Sequence, residues 1–134
     1  MSRVHRLVLA CSAALLPLAA AGQGALRGEQ VYRETCAACH TTGVDDAPKL
    51  GDRKAWAPLI KEGQHVLTAH AWVGVRKMPA RGGQPELTLE DFSRAVAYMA
   101  RTSGGRWSDP DAKLLARIER EVSKRQADLA RDDK

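Results

Sequence analysis

Aromatic residues are scarce in this 134-residue chain, at 4 %, and cysteine occurs only three times. Three cysteines are too few for a disulfide scaffold. One Phe, three Trp and two Tyr are thin filling for a core built from side chains alone, and a large flat ligand would supply the missing apolar volume. A long basic run is also lacking. The 21 Lys+Arg stand against 16 Asp+Glu, a net charge of +5 of mixed sign, which argues against a nucleic-acid partner. Beyond the N-terminal segment no apolar run is long enough to span a bilayer. Nothing there alternates with period two, and there is no internal repeat. What is present is 44 % hydrophobic residues, enough for a packed core and too many for wholesale disorder. The length fits one ordinary domain, or a smaller one with attachments.

The first segment reads as an address. Arg3, His5 and Arg6 precede an uncharged apolar stretch, Leu7 to Ala21, which ends in Ala19-Ala20-Ala21-Gly22. A positive start, a short apolar run and an A-x-A-like end describe a secretory signal peptide. Its roughly 15 apolar residues, interrupted by Pro17, fall short of a spanning helix. Cleavage near Ala21 removes Cys11 with the signal and leaves Cys36 and Cys39 in an exported, periplasmic protein.

The spacing of apolar residues predicts an all-α protein. Helices are expected at Ala25 to Thr35, Ala55 to Lys61, Gln64 to Val75 and Thr88 to Arg101. Gly28 sits inside the first at a cost of about 1 kcal/mol relative to Ala, which points to another backbone approaching there. Thr41 to Lys54 and Arg76 to Glu86 read as loops. Thr88 and Asp91 resemble a capping box. After the break Ser103-Gly104-Gly105, Ser108-Asp109-Pro110 predicts the start of a last, charged helix with the apolar stripe Leu115, Ile118, Val122, Leu129. The organisation is therefore a signal peptide over 1–21, one domain over 22–101, and a linker with an amphipathic helix over 102–134.

Cys36-Ala37-Ala38-Cys39-His40 is the most informative stretch. C-x-x-C-H is the attachment signature of a c-type haem. Two cysteines three apart reach the two vinyl groups on one porphyrin edge, and His40 then gives the iron an imidazole ligand. Two other readings compete. A thioredoxin-type redox pair belongs beside a βαβ unit, and no strands are visible. A zinc site with His40 and one of His65 or His70 lacks the second ligand pair such sites usually draw on.

A sixth ligand for the iron has four candidates: Met78, Met99, His65 and His70. Met99 falls in the apolar periodicity of a core helix, and both histidines fall in a helical stretch. Met78, followed by Pro79 and a Gly-rich loop, suits backbone laid flat against a ring and is the choice. The second ring nitrogen of His40 needs an acceptor, for which the Pro48 carbonyl is the candidate. Arg76, Lys77 and Arg81 flank Met78 as a basic collar suited to steering acidic partners.

From Gly28 to Arg101 the chain resembles a class I cytochrome c, nearest the bacterial cytochrome c5-like group. The matching stretches are Gly28-Glu29-Gln30-Val31-Tyr32, the Cys36 to His40 motif, Ala47-Pro48-Lys49-Leu50-Gly51-Asp52, Ala55-Trp56-Ala57-Pro58, Met78-Pro79-Ala80-Arg81-Gly82-Gly83 and Ala95-Val96-Ala97-Tyr98-Met99. The resemblance implies first and last helices crossing at Gly28 and Tyr98, one covalent haem c on Cys36 and Cys39, axial ligands His40 and Met78, and the Pro48 carbonyl as partner to His40. It implies an electron-transfer protein rather than an enzyme, shuttling single electrons between a donor and an acceptor such as membrane respiratory complexes or oxidoreductases. The alternative is a haem-bearing subunit docked through its C-terminal helix onto a larger oxidoreductase. Two departures stand out. Where that group often has a cysteine pair after the Gly-Gly, this chain has Gln84-Pro85-Glu86-Leu87, and its last charged helix has no counterpart in the resemblance.

Overall fold

The computed structural model describes residues 27–132, so the expected signal segment over 1–21, Cys11 included, lies outside the described residues. Five helices account for most of what is described. The first, α1, runs over 27–40 and continues through the Cys-x-x-Cys-His motif, past the end that periodicity predicts. Its Tyr32–Cys36 segment is wound as a π-helix, with the Ala37 N–H reaching back to the Tyr32 carbonyl, before Ala37–His40 returns to α geometry. Such widened turns are rare and concentrate at functional sites.

Next come α2 (Arg53–Glu62), α3 (Gln64–Val73) and α4 (Leu89–Thr102). Asp52 caps α2 by accepting from the Lys54 and Ala55 N–H groups at 3.1 Å. Thr88 caps α4 by accepting from Asp91 N at 3.2 Å. The reciprocal half of that box is missing, because the Asp91 carboxylate is engaged by Arg27 and Arg94. At its other end α4 closes in a Schellman motif: Gly105 N–H donates to Ala100 O at 2.7 Å and Gly104, at φ 104°, to Arg101 O at 3.2 Å. Among the described residues no strand forms, and Val75 and Met78 make an isolated bridge.

Val31, Tyr32, Trp56, Ala95, Met99 and Ala100 build one buried cluster; Ala71, Phe92 and Val96 build a second, against which Trp72 and Met78 pack. The small residues Ala95, Ala97 and Ala100 are fully buried on α4, which lets neighbouring backbones come close. The closest approach is at Gly28. A Cβ there would lie 2.6 Å from the Arg94 carbonyl oxygen and 3.3 Å from Tyr98 Cβ. The Tyr32 and Tyr98 rings meet beside this crossing at 5.6 Å, tilted by 43°. On its rim Arg27 grips Asp91 through Nε at 3.2 Å and a terminal nitrogen at 2.8 Å. This bond, with lesser help from Arg94, holds the Asp91 carboxyl below the usual carboxylate range.

The last helix, α5 (Ala112–Asp132), starts later than Ser108-Asp109-Pro110 predicts. Asp109 is drawn away by Arg101 at 2.8 Å and the Ser108 carbonyl by Gln64 at 2.7 Å. Asp111 takes the capping position instead, accepting from Leu114 N at 2.7 Å. The helix lies along α3. Ile118, central to its apolar stripe, is fully buried against this chain, whereas Leu115, Val122 and Leu129 stay partly exposed. Among the described residues no helix is long and apolar enough to cross a membrane.

Two outcomes follow from the α1–α4 crossing. Gly28→Ala improves helix propensity by about 1 kcal/mol, yet drives Cβ into a backbone carbonyl that cannot swing aside; a net loss of about 1–3 kcal/mol in chemical denaturation is expected, and a gain would contradict the crossing. Asp91 has a lowered pKa when folded, so its contribution is present above its unfolded value near 4 and disappears as pH falls through the lower folded value. Melting temperatures at pH 7 and pH 3 should therefore differ less for Asp91→Asn than for the unaltered protein, with the variant the less stable at pH 7.

Candidate functional site

Extension of α1 to His40 places the three motif residues on one continuous helical segment. Cys36 and His40 are buried and Cys39 is exposed. Burial, with a further push from neighbouring Cys39, raises the Cys36 thiol to about 11, so it is a neutral thiol at pH 7. His40 Nδ1 lies 2.9 Å from the Pro48 carbonyl oxygen. A carbonyl only accepts, so this contact is a hydrogen bond only with the proton on Nδ1, and the Nε2 lone pair is then available to a metal. No hydrogen bond reaches Nε2 among the described residues.

The loop that carries Pro48 is pinned from several directions. Leu50 N donates to the His40 carbonyl at 2.8 Å, closing the loop onto the end of α1. The indole N–H of Trp56, a residue 3 % exposed, donates to Lys49 O at 2.9 Å. Gly51 N donates to the hydroxyl of buried Ser103 at 2.9 Å, tying the loop to the end of α4. The Tyr32 and Thr41 hydroxyls share a 3.0 Å hydrogen bond just past the motif. Sequence reasoning missed Trp56 and Ser103 as parts of the site. A buried indole N–H needing an acceptor was the available signal for Trp56. Ser103, read only as part of a break, offered none.

Met78 lies on the loop that follows α3. Gly74 ends α3 at φ 102°, a conformation that side chains resist, and a Cβ there would also stand 3.1 Å from Ala80 N. Val75 and Met78 then exchange N–H···O bonds of 3.1 and 2.9 Å around Arg76, whose φ is 53°. These bonds fix the Met78 backbone, while its half-buried side chain packs against the Ala71, Phe92 and Val96 cluster. Lys77 Nζ lies 3.7 Å from both Asp45 and Asp46, which brings the loop after His40 and the loop bearing Met78 within ion-pair reach. The same contacts modify the basic collar. Lys77 has the two exposed aspartates within loose ion-pair reach, and Arg81 stacks on Trp72 and donates to Pro85 O, so among the described residues only Arg76 of the three lacks such an engagement.

The remaining candidates are engaged elsewhere. Met99 is 3 % exposed within the first cluster. His65 Nδ1 faces the Arg117 guanidinium at 3.1 Å on the seam between α3 and α5, and His70 lies 3.7 Å from Glu62. Among the described residues no group of three or more His, Cys, Asp or Glu is placed to hold a metal ion, which deprives the zinc reading of its further ligands. Two thiols on the last turns of one helix, an imidazole with Nε2 to give and a thioether on a braced loop are a donor set that suits a covalently attached haem.

Comparisons with known proteins agree in direction. The profile of the family described as cytochrome c oxidase, cbb3-type, subunit III, matches residues 23–99. Cytochrome c-555 of Chlorobaculum thiosulfatiphilum is 45 % identical over 83 residues, spanning 59 % of this chain and 96 % of the relative. Cytochrome c5 of Azotobacter vinelandii is 35 % identical over 81 residues, spanning 59 % of this chain and 98 % of the relative. Among solved structures, a cytochrome c chain from an electron transfer complex of nitrite reductase with cytochrome c superposes with a TM-score of 0.56 at 43 % identity, covering 57 % of this chain and 94 % of that one.

The pins on the Pro48 loop are separable by mutation. Trp56→Phe keeps an aromatic ring but removes the donor to Lys49 together with part of the buried indole, and Ser103→Ala removes the acceptor for Gly51. Ser103→Ala should cost about 1 kcal/mol of unfolding free energy and Trp56→Phe about 1–3 kcal/mol, and both should speed amide exchange at Leu50. Unchanged exchange in both variants would mean that the loop is held by other contacts.

Proposed function

The chain belongs to the class I c-type cytochromes, close to the cytochrome c5-like group, and from that membership we propose which of its residues carry the function and where it works. Members are monohaem electron-transfer proteins rather than enzymes, with one covalently bound haem c. When bound, that group supplies reversible one-electron exchange at its iron. In the proposed assignment Cys36 and Cys39 would form the two thioether bonds, and His40, through Nε2, and Met78 would be the protein ligands of the iron.

The observation that carries this reading is the 2.9 Å contact of His40 Nδ1 with the Pro48 carbonyl. It fixes the imidazole's tautomer and ring plane, so that Nε2 presents its lone pair in one direction. With His40 and Met78 both engaged, no position would remain for oxygen or peroxide, and little in the chain would have to move when the oxidation state changes. A thioether paired with an imidazole also favours a higher reduction potential than two imidazoles.

Export through the N-terminal segment puts this electron carrier in the periplasm. There it serves a donor and an acceptor drawn from respiratory complexes or other oxidoreductases. The solved relative that sits in a complex with nitrite reductase supports an oxidoreductase as one such partner.

The assignment is tested on the exported protein from a host able to mature cytochromes. Acid-acetone extraction should leave the colour on the polypeptide, and a pyridine haemochrome should give one haem per chain. Met78→Ala should open the reduced protein to carbon monoxide, which the unaltered protein resists, and Met78→His should lower the reduction potential. Extractable haem overturns the thioether assignment; a carbon monoxide response indifferent to Met78 overturns the axial one.

A further inference from the structure

The loop between α3 and α4 has to hold Met78 in place, and its composition works against that. Pro79, Gly82, Gly83 and Pro85 interrupt it, and the two cysteines of the described chain both lie on α1. Arg81 is, with Arg76, one of its two non-glycine residues at positive φ. It sits at φ 54°, in a region that long side chains avoid and that costs free energy to maintain. Two contacts offset that cost. The guanidinium lies over the Trp72 ring, 4.5 Å from its centroid, and one terminal nitrogen donates to the Pro85 carbonyl at 2.6 Å.

Both contacts bear on Met78. Trp72 belongs to α3 and meets Phe92 of α4 edge-to-face at 5.3 Å, in the cluster on which Met78 packs. Pro85 lies near the far end of the loop, so the bond from Arg81 closes the segment after Met78 upon itself. The neighbouring Gly82 backbone rests close to Thr35 of α1, where a Cβ would meet the Thr35 methyl at 3.0 Å. We propose that Arg81 is a positioning residue for Met78: a clasp that lays the loop on Trp72 and keeps the thioether directed at the iron. This rests on the reading of Met78 as axial ligand. The planar guanidinium stacks flat on the indole while donating in its own plane to the Pro85 carbonyl; a Lys ammonium is a point charge without that stacked fork, so Lys is expected to be a poorer replacement.

The test uses the full haem-loaded protein, with Arg81→Lys and Arg81→Ala as variants. Asp91→Asn, which loosens the α1–α4 crossing through Arg27 and Arg94 and removes no contact of Arg81, is the control for general destabilisation. Three quantities are followed: the weak absorption of the oxidised protein that depends on sulfur bound to iron, carbon monoxide association with the reduced protein, and amide exchange at Gly82 and Gln84. Both Arg81 variants should weaken the sulfur-dependent absorption and raise carbon monoxide association and exchange about tenfold, from loss of the stack and the hydrogen bond together. Asp91→Asn should leave all three near their starting values. If Arg81→Ala fails to load haem, Arg81→Lys decides alone. Arg81 variants that match the unaltered protein in all three overturn the clasp and leave the Met78 assignment standing. If the unaltered protein lacks the sulfur-dependent absorption and Met78→Ala changes nothing, the ligand assignment itself fails and the clasp falls with it.

Discussion

An imidazole offers a lone pair in a fixed direction only while its other nitrogen is held, and in this chain that hold is the Pro48 carbonyl on His40 Nδ1. Much of the surrounding polar structure serves this bond. Pro48 has no N–H with which to anchor itself, so its neighbours do the anchoring: Lys49 through the Trp56 indole, Leu50 through the His40 carbonyl, Gly51 through the Ser103 hydroxyl. These anchors come from α2, α1 and α4 respectively. A shift of any of those helices is therefore felt at the imidazole, which explains why a small α-helical fold can hold a ligand stiffly with few aromatic residues in its core.

Backbone strain is distributed in the same sense. Among the described residues the non-glycine positions with positive φ are Asp45, Asp46, Arg76 and Arg81. Two lie in the loop after His40 and two in the loop bearing Met78. Aspartate tolerates this conformation and arginine does so less readily. Strained residues persist only where their surroundings over-determine them. Here Lys77 bridges Asp45 and Asp46, Arg76 is spanned by the Val75–Met78 bonds, and Arg81 is held by Trp72 and Pro85. Of the three collar charges, Arg81 is the one engaged in an internal stack, while Arg76 and Lys77 stay exposed, Lys77 beside its two aspartates.

What could be read from the sequence was governed by separation along the chain. Helical periodicity located α2, α3 and α4 to within a few residues, because their ends are written locally in Asp52, Gly74 and Thr88. The pairing of His40 with Pro48 spans eight residues and lay within reach of a motif. The pairing of Gly51 with Ser103 spans 52 and did not, since nothing near Ser103 announces an acceptor role. The start of α5 was misread for a related reason. Asp109 is a good local cap, but Arg101 competes for it through tertiary structure, and Asp111 is the aspartate left over. The continuation of α1 through the motif was also hidden, because the π-type turn at Tyr32–Cys36 breaks the 3.6-residue rhythm on which the reading depended.

The family match ends at residue 99, whereas the chain folds onward into α5, and the placement of that helix is informative. It lies along α3, the helix that carries Trp72 and ends at Gly74, and so along the element from which the Met78 loop is hung. Burial of Ile118 and the contacts of Gln64 with Ser108 and of His65 with Arg117 hold the two helices together. Electron transfer is favoured when ligands move little between oxidation states, and a loop is only as still as its support. The loop beside His40 is pinned from three helices, while the Met78 loop leaves the end of a helix ten residues long and packs its methionine on the Ala71, Phe92 and Val96 cluster. A further helix along α3 packs on the element from which the Met78 loop departs, and among the described hydrogen bonds and ion pairs it makes none to the His40 loop.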